Sequence, residues 1–344
     1  MIFVTPADLD HALEEEWNYA TGLTEQVIYF RRPGGLLAKA RKHLAWTALF
    51  RGAVKKYVAQ HGRPHLVHVH VPWKAGLIAF WLKEKTGVRY IVSEHWGIYN
   101  NSVVDHLGAR SLWVRRQLKK IYSHASKHIA VSEALAGDMM KAINIPAPTV
   151  LPNVVDTSLF FHKDEKYSRF SFIHVSNMVP LKNVDRILRA FKQLVQDRPE
   201  QQPQLILIGN RDHTYVDLAA ELDLLHSSVF FKGEISYNEV AAEMRRCHCF
   251  VLFSDTETFS CVTAEALCAG LSVITRAAGA LPELVNSTNG ILLQPASTES
   301  LAASMATMME NFSRYDNKKI AAEAAEKYGY SSIAERFSVL YGDE

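Results

Sequence analysis

Residues 250–274, FVLFSDTETFSCVTAEALCAGLSVI, decide the fold of this chain because they predict one complete β-α-β unit. The apolar run Phe250–Phe253 predicts a buried strand, Thr263–Ala269 predicts a helix, and Ser272–Ile274 predicts a second strand. Both strands are short and almost wholly apolar, which is typical of parallel strands covered by helices on both faces. The stretch therefore indicates an α/β domain built on a parallel sheet.

The same alternation of strands and helices continues on both sides of this unit. Further strands are predicted at Gln26–Phe30, Leu66–His70, Tyr90–Ser93, His128–Val131, Phe172–Val175, Leu205–Ile208, Val229–Phe231 and Gly290–Leu292. Further helices are predicted at Leu36–Gln60, Ala75–Thr86, Ser111–His124 and Val184–Val195. A chain of 344 residues is long enough for two cores, so we expect two doubly wound, Rossmann-like domains that face a cleft. The polar run before Phe170 predicts a domain boundary, with the first domain at residues 1–161 and the second at residues 162–327.

Composition excludes several classes of protein. The chain is 48% hydrophobic and 22% charged, which excludes disordered, collagenous and coiled-coil proteins. No apolar run is long enough to span a bilayer, and Asp8, Asp10 and Glu14–Glu16 have the wrong charge for a secretory signal. Four cysteines form no disulfide framework in so long a chain, so we expect a cytoplasmic protein.

Basic residues concentrate in the first part of the chain. Residues 1–150 hold 20 Lys and Arg against 11 Asp and Glu, whereas the remainder holds 18 against 25. The predicted basic helices 36–58 and 111–122 carry Trp and Leu among their basic residues, a pattern that suits an anionic membrane surface. The alternative is that these helices pack on their own sheet and expose a basic face to solvent. No recognition motif accompanies the charge, so we expect no nucleic-acid partner.

Polar residues follow the predicted strands at the edge where open parallel sheets bind ligands. Ser254–Glu257 follows a strand and precedes a helix, so backbone amides near Ser260–Val262 could face an anion. Glu257 and Glu265 could each accept hydrogen bonds from the vicinal hydroxyls of a ribose or a hexose. The simpler alternative is an acidic residue near the helix N-terminus plus a solvated helical glutamate.

The second half of the chain resembles the retaining glycosyltransferases of family 4, which have the GT-B fold. The motifs that carry this resemblance are Lys182 on the turn Pro180–Asn183, the Glu-x7-Glu pair Glu257/Glu265, the run Ala269–Ile274 and the turn Gly279–Glu283. Val150–Asp156 is similar to the interdomain segment of the family, and Val67–His70 and Ser93–Trp96 are similar to its acceptor-side strand ends. The resemblance implies that residues 328–344 form a helix that returns to the first domain.

The resemblance also implies roles for individual residues. Lys182 is expected to bind the donor diphosphate and to offset charge on the leaving nucleotide. Glu257 is expected to position the donor sugar, and His95 to lie near the transferring sugar and the acceptor. The remaining residues of the implied donor site are Glu265 at the ribose hydroxyls, Phe259, Ser260 and Cys261 through their amides, Asn177 at the phosphates and Gly233 beside the base.

Three features depart from the family pattern, one of which is Val154 in place of the small residue expected beside Asn153. Asn177 stands where the family usually carries a basic residue, so an uncharged amide replaces a charged phosphate contact. Arg211 and Arg276 follow neighbouring strands and could supply the missing charge. Only Ile2–Val4 precedes the first predicted helix, so the first domain is expected to lack its opening βα unit.

The resemblance implies catalysis without a bound metal or other cofactor. Asp8-Leu9-Asp10 matches the Asp-x-Asp pair of metal-dependent transferases, but it opens a helix-like run and is explained as a helix cap. His68 and His70 alternate on one face of a strand, and Cys247 and Cys249 have a similar spacing. Neither pair has a convincing further ligand, so we interpret both as structural.

We therefore predict a retaining, metal-independent hexosyltransferase that moves a sugar from a nucleotide-sugar donor to a glycan or lipid-linked acceptor in cell-surface polysaccharide synthesis. It would act in the cytoplasm or on the inner face of the membrane. Two alternatives remain open. A nucleotide-sugar epimerase of the same architecture would need more acid–base carboxylates than the sequence provides. A degenerate transferase that binds a nucleotide or a partner protein without turnover is favoured by Asn177 and by the short first segment.

Overall fold

The computed structural model describes residues 1–7, 13–19, 22–31, 38–101, 103, 105–210 and 213–342. Asp8-Leu9-Asp10, Leu36 and Arg211, which carried predictions, lie outside these ranges. The chain forms two compact units, Met1–Glu94 with Ser111–His128, and His95–Arg110 with Ile129–Glu344. Within the described ranges, no helix combines the length and the apolar character that a membrane span requires.

The first unit is an α/β unit that opens with a three-stranded sheet. Its described elements are β1 (Ile2–Ala7), β2 (Leu13–Asn18), β3 (Thr24–Arg31), α1 (Ala38–His61), β4 (Leu66–His70), α2 (Pro72–Thr86), β5 (Arg89–Glu94) and α3 (Leu112–His124). Strand β3 lies between β1, to which it is parallel, and β2, to which it is antiparallel. Strand β4 pairs in parallel with β5. Strand β6 (Lys127–Ala130) carries the chain into the second unit.

The prediction of a helix-like run opening at Asp8 was wrong for the part of that run that the structure describes. Leu13–Asn18 is a strand that pairs with β3 along its whole length. Its glutamates gain partners across the sheet and from α1, since Gln26 Nε2 and Lys56 Nζ lie 2.8 and 2.9 Å from Glu14 Oε1. Such tertiary contacts override the low strand propensity of glutamate.

The second unit is built on a six-stranded sheet. The strands of this sheet are β8 (Ser171–Val175), β9 (Gln204–Ile208), β10 (Val229–Gly233), β11 (Cys249–Leu252), β12 (Ser272–Arg276) and β13 (Gly290–Leu293). The unit also contains the short strand β7 (Thr149–Val150), which is not part of this sheet. Its helices are α4 (Glu133–Ile143), α5 (Val184–Asp197), α6 (His213–Glu221), α7 (Tyr237–Arg246), α8 (Cys261–Cys268), α9 (Leu281–Leu284), α10 (Thr298–Asn311), α11 (Asn317–Tyr328) and α12 (Tyr330–Gly342). The sheet order is β10-β9-β8-β11-β12-β13 and every pairing is parallel, which confirms the predicted fold class.

The sheet of the second unit is buried because helices cover it. Every residue of β8 and β9 is buried, and α5 presents Ile187, Phe191 and Leu194 to the same core as α10. Because all six strands run in one direction, the loops after β8, β11 and β12 meet at one edge of the sheet. At the end of the chain, Arg336 of α12 donates a hydrogen bond to the carbonyl oxygen of Val150 at 2.6 Å.

Candidate active site

The loop after β8 is anchored to the sheet by the buried side chain of His174. His174 Nδ1 lies 2.9 Å from the carbonyl oxygen of Val251, and since a carbonyl only accepts, Nδ1 carries the proton. The other nitrogen then accepts the hydroxyl hydrogen of Ser176 at 2.7 Å, and Ser176 Oγ accepts the N–H of Met178 at 3.0 Å. Burial lowers the pKa of His174 to about 4, so the ring stays neutral and these bonds keep their direction.

Lys182 and Glu257, two residues of the predicted donor site, are in direct contact. Lys182 ends the short 3-10 helix Pro180–Lys182 in the loop after β8, and Glu257 lies in the loop after β11. Lys182 Nζ donates to Glu257 Oε1 at 2.5 Å, and the two side chains are only 16% and 12% exposed. Because both charges are largely removed from water, they attract each other more strongly than an exposed pair does.

The loop after β12 fixes the backbone of Glu257. The N–H of Ala280 donates to the Glu257 carbonyl oxygen at 2.9 Å. Gly279 has a φ of +53°, and a Cβ atom at this position would lie 2.1 Å from the same oxygen. Only glycine combines this conformation with so close an approach, so the predicted glycine turn is required for the position of Glu257.

Helix α8 begins directly after this loop. Ser260 precedes the helix with a φ of 76°, and its hydroxyl lies 2.8 Å from Thr263 Oγ1. The side chain of Phe259 is buried, with its ring edge-on to Tyr328 at 5.6 Å, whereas Cys261 at the first helical position is exposed. Phe259 is therefore a packing anchor, and its backbone is the part that a ligand could contact.

Glu265 is buried on the second turn of α8 and accepts a hydrogen bond from the Tyr237 hydroxyl at 2.7 Å. Burial raises the pKa of Glu265, and the bond from Tyr237 offsets part of this rise. Sequence reasoning missed Tyr237. The sequence could have indicated Tyr237 by its position, since it is the first residue of α7, the helix that follows β10. Ser236 and Glu239 mark this helix start with a capping box.

Asn153 joins His95 to the start of α8. The side chains of His95 and Asn153 are hydrogen bonded, and Asn153 Nδ2 donates to Cys261 Sγ at 3.4 Å. Burial lowers the pKa of His95, while the bond with Asn153 acts in the opposite direction. Thr258 Oγ1 also donates to the His95 carbonyl oxygen at 3.1 Å. The structure therefore brings His95 and Cys261 to one network, as a shared site requires.

The N-terminus of α4 contacts the same loops. Ser132 Oγ donates to the carbonyl oxygen of Thr258 at 2.6 Å. Glu283 accepts the N–H groups of Glu133 and Ala134 at 2.9 and 2.8 Å, one on each carboxylate oxygen. A carboxylate at this position satisfies two free amides and complements the helix dipole.

Asn177, Gly233 and Arg276 follow or end neighbouring strands of the sheet. Asn177 is exposed, and Gly233 ends β10 with a φ of 71°. The sequence indicated that Arg276 could supply the positive charge that is missing at Asn177. Its guanidinium group instead forms an ion pair with Asp255, which neutralises that charge.

The residues with metal-ligand spacing have structural contacts. His68 and His70 lie with ring centroids 4.1 Å apart, and His68 Nε2 is hydrogen bonded to Ser93 Oγ at 2.7 Å. Cys247 and Cys249 are fully buried free thiols. Across the described part of the chain, no three His, Cys, Asp or Glu side chains converge as a metal ion requires.

Two protein-family models match the chain and together cover most of it. The model described as Glycosyltransferase Family 4 matches residues 1–159, and the model described as Glycosyl transferases group 1 matches residues 156–328. Among curated proteins, the MMP alpha-(1->4)-mannosyltransferase of Mycolicibacterium hassiacum is 25% identical over 311 residues, covering 84% of this chain and 73% of the relative. The D-inositol 3-phosphate glycosyltransferase of Thermobispora bispora is 24% identical over 304 residues, covering 81% and 71%.

Solved structures share the fold of the chain. Sucrose-phosphate synthase from Thermosynechococcus elongatus superposes with a TM-score of 0.77 at 20% identity, covering 95% of this chain and 85% of the other. HepE of Anabaena, in complex with UDP and glucose, superposes with a TM-score of 0.72 at 20% identity, covering 92% and 86%. These similarities confirm the predicted GT-B fold.

Proposed function

The chain belongs to the glycosyl transferases group 1 family and is a glycosyltransferase, and we propose that it moves a hexose from a nucleotide-sugar donor to a glycan or lipid-linked acceptor with retention of anomeric configuration. The observation that carries this proposal is the Lys182–Glu257 contact at the strand ends of the second unit. A cation that stabilises a departing diphosphate and a carboxylate that orients a sugar are both needed at one reacting bond. HepE of Anabaena, which shares the fold and was solved in complex with UDP and glucose, supports this kind of donor.

We assign leaving-group stabilisation to Lys182. Glycosyl transfer leaves negative charge on the departing nucleotide, and a fixed ammonium group lowers the energy of that charge in the transition state. The ion pair with Glu257 holds Lys182 in place before the donor binds. The N-terminus of α8 adds a second positive field beside it. Lys182 and the N-terminus of α8 can together stabilise the negative charge of the leaving diphosphate without a metal ion. We therefore propose metal-independent catalysis.

We assign the ribose to Glu265 and the sugar to Glu257 and His95. The buried carboxylate of Glu265 can accept two vicinal hydroxyls because its only described side-chain partner is the Tyr237 hydroxyl. The backbone of Phe259, Ser260 and Cys261 would contact the phosphates, and Gly233 and Asn177 would border the base and the phosphates. Burial lowers the pKa of His95, which favours the neutral ring, and that ring could donate or accept one hydrogen bond at the acceptor.

We further propose that the enzyme works in the cytoplasm at an anionic membrane surface, in cell-surface glycan synthesis. Helix α3 supports this idea because Leu112 and Trp113 are 65% and 51% exposed beside the exposed basic residues Arg115, Arg116 and Lys119. An apolar and cationic face of this kind favours the boundary of an anionic bilayer.

Turnover tests the proposal. UDP-, GDP- and ADP-hexoses are screened with soluble oligosaccharides and lipid-linked saccharides in the presence of EDTA, and the product anomer is read by proton NMR. We expect transfer with unchanged configuration, and loss of transfer in the E257Q variant. An inverted product, or activity that appears only when a divalent cation is added, would contradict the assignment.

A further inference from the structure

Aromatic side chains from three helices of the first unit form a partly open wall. The indole of Trp113, which is half exposed, lies edge-on to Trp73 with ring centroids 5.9 Å apart and to His43 at 6.1 Å. Trp46 is fixed by a hydrogen bond from its Nε1 to the carbonyl oxygen of Val4 at 2.9 Å. Rigid aromatic faces of this kind bind sugar rings and apolar chains at small cost in conformational entropy.

This wall also carries positive charge from Lys74 and the neighbouring Lys42. Lys74 Nζ lies 6.0 Å from the centre of the Trp46 ring. Desolvation and the neighbouring Lys42 lower the pKa of Lys74, and desolvation and Lys74 lower the pKa of His43. Within the described ranges, neither lysine has an ion-pair partner. Lys74 is thus a partly desolvated ammonium group in the field of a second lysine, an arrangement that a bound anion would stabilise.

The backbone at this wall is strained. Val71, directly after β4, has a φ of 52°, and Lys74 has a φ of 68° with a ψ of −57°. Positive φ is rare for residues other than glycine and is an outlier for a β-branched valine. Such conformations persist where the surrounding structure holds a side chain in a functional position. Here the strain presents Lys74 beside Trp46 at the carboxyl end of a strand.

We propose that this cluster, the Lys42–Lys74 site, binds the phosphate group of a phosphate-bearing acceptor. The site is defined by Lys42, His43, Trp46, Trp73, Lys74 and Trp113. Two ammonium groups match the charge of a phosphate monoester, which lies between about −1.5 and −2 at neutral pH. The aromatic wall covers the group esterified to that phosphate, either a sugar or the glycerol of a lipid. The assignment of the ligand as acceptor rests on the proposed transferase function; phosphate binding itself does not.

Tryptophan fluorescence of the full chain tests the site, because three of the six tryptophans of the protein line it. The probes are glucose 1-phosphate in solution, and phosphatidylcholine vesicles with and without phosphatidic acid. The variants are K74Q and K42Q, with K85Q as the matched control, since Lys85 is an exposed lysine at the end of α2. The melting temperature of each variant verifies that it folds.

We expect a saturable change in emission with at least one of the two probes, weakened about tenfold in K74Q and in K42Q and unchanged in K85Q. Binding of glucose 1-phosphate identifies a soluble sugar phosphate as the source of the ligand, and binding only of phosphatidic acid vesicles identifies a lipid headgroup. Binding that is equal in all variants, or absent with both probes, overturns the site. The K182A variant, whose donor site is impaired, should bind the probe normally, which separates failure of this site from failure of the proposed donor site.

Discussion

Lys182 Nζ donates to Glu257 Oε1 at 2.5 Å, although 75 residues separate the two in the chain. The contact joins the loops after β8 and β11, two neighbouring strands of the central sheet. Parallel strands deliver their following loops to one edge, so residues distant in sequence meet without any local motif linking them. The predictions below concern this pair and the other candidate residues of the site.

Removing the lysine should affect the chemical step, and removing the glutamate should also affect stability. We expect K182A to lower kcat about a hundredfold to a thousandfold, the usual effect of deleting one electrostatic group from the transition state. E257Q leaves a lysine that is 16% exposed without its counter-charge, so we expect a loss of about 1–3 kcal/mol in the free energy of unfolding. Steady-state kinetics and urea titrations measure the two effects. K85A should change neither, and equal kcat values for K182A and wild type would refute the role of Lys182.

The Tyr237–Glu265 hydrogen bond should control the pH dependence of nucleotide binding. Burial raises the pKa of Glu265 from 4.5 and the bond lowers it, so Y237F should raise it further. The ionised carboxylate accepts ribose hydroxyls more strongly than the protonated form, which has lost part of its acceptor capacity. The variant should therefore lose nucleotide affinity at a higher pH than wild type on the acid side. Isothermal calorimetry at several pH values measures this shift. The control Y57F, at an exposed tyrosine of α1, should leave the pH dependence of nucleotide binding unchanged. An unchanged pH dependence in Y237F would contradict the role of Glu265 in binding.

The buried His174 should make the protein less stable in mild acid. Its pKa is lowered from 6.5 to about 4 in the folded state, so between these values the unfolded chain binds a proton that the folded chain does not. Stability is therefore fully present above pH 6.5 and declines as the pH falls towards 4, by about 3 kcal/mol from this residue. H174F should flatten that part of the curve, and H61N, at an exposed histidine that ends α1, should not. Equal slopes in H174F and wild type would contradict the prediction.

Gly279 should tolerate no side chain. Because a Cβ atom would lie 2.1 Å from the carbonyl oxygen of Glu257, G279A must displace the loop that carries this carboxylate. We expect at least a tenfold loss in kcat/KM, about 1.4 kcal/mol in transition-state stabilisation. Gly137 provides the control, since it lies within α4 and a Cβ there meets no atom within 4 Å. G137A should keep full activity and gain about 0.5–1 kcal/mol in stability. Full activity in G279A would show that the position of Glu257 is unimportant.

Much of the fold was predictable because its strands are local apolar runs. Leu66–His70 was predicted at its observed bounds, and the other predicted strands differ by one or two residues at one or both ends. The failure at Leu13–Asn18 has a physical cause, since three successive glutamates favour a strand only when β3 and Lys56 are beside them. Local propensity contains no information about such partners.

The candidate site was predictable in its residues but not in its connections. The resemblance to a family supplied Lys182, Glu257 and Glu265, whereas the bond between the first two and the bond from Tyr237 to the third depend on tertiary placement. The ion pair between Arg276 and Asp255 could not be predicted either, because the sequence around an arginine does not identify its partner in the fold.

Nucleotide binding is the most direct measure of the proposed donor site. The melting temperature is measured with UDP, GDP, ADP and their sugar conjugates in the presence of EDTA, for wild type, K182A, E265Q and the control K85A. A ligand that binds only the folded state raises the melting temperature according to its occupancy. We expect stabilisation by one nucleotide family, lost in K182A and E265Q and kept in K85A. Stabilisation by no nucleotide, or equal stabilisation of wild type and K182A, would contradict it.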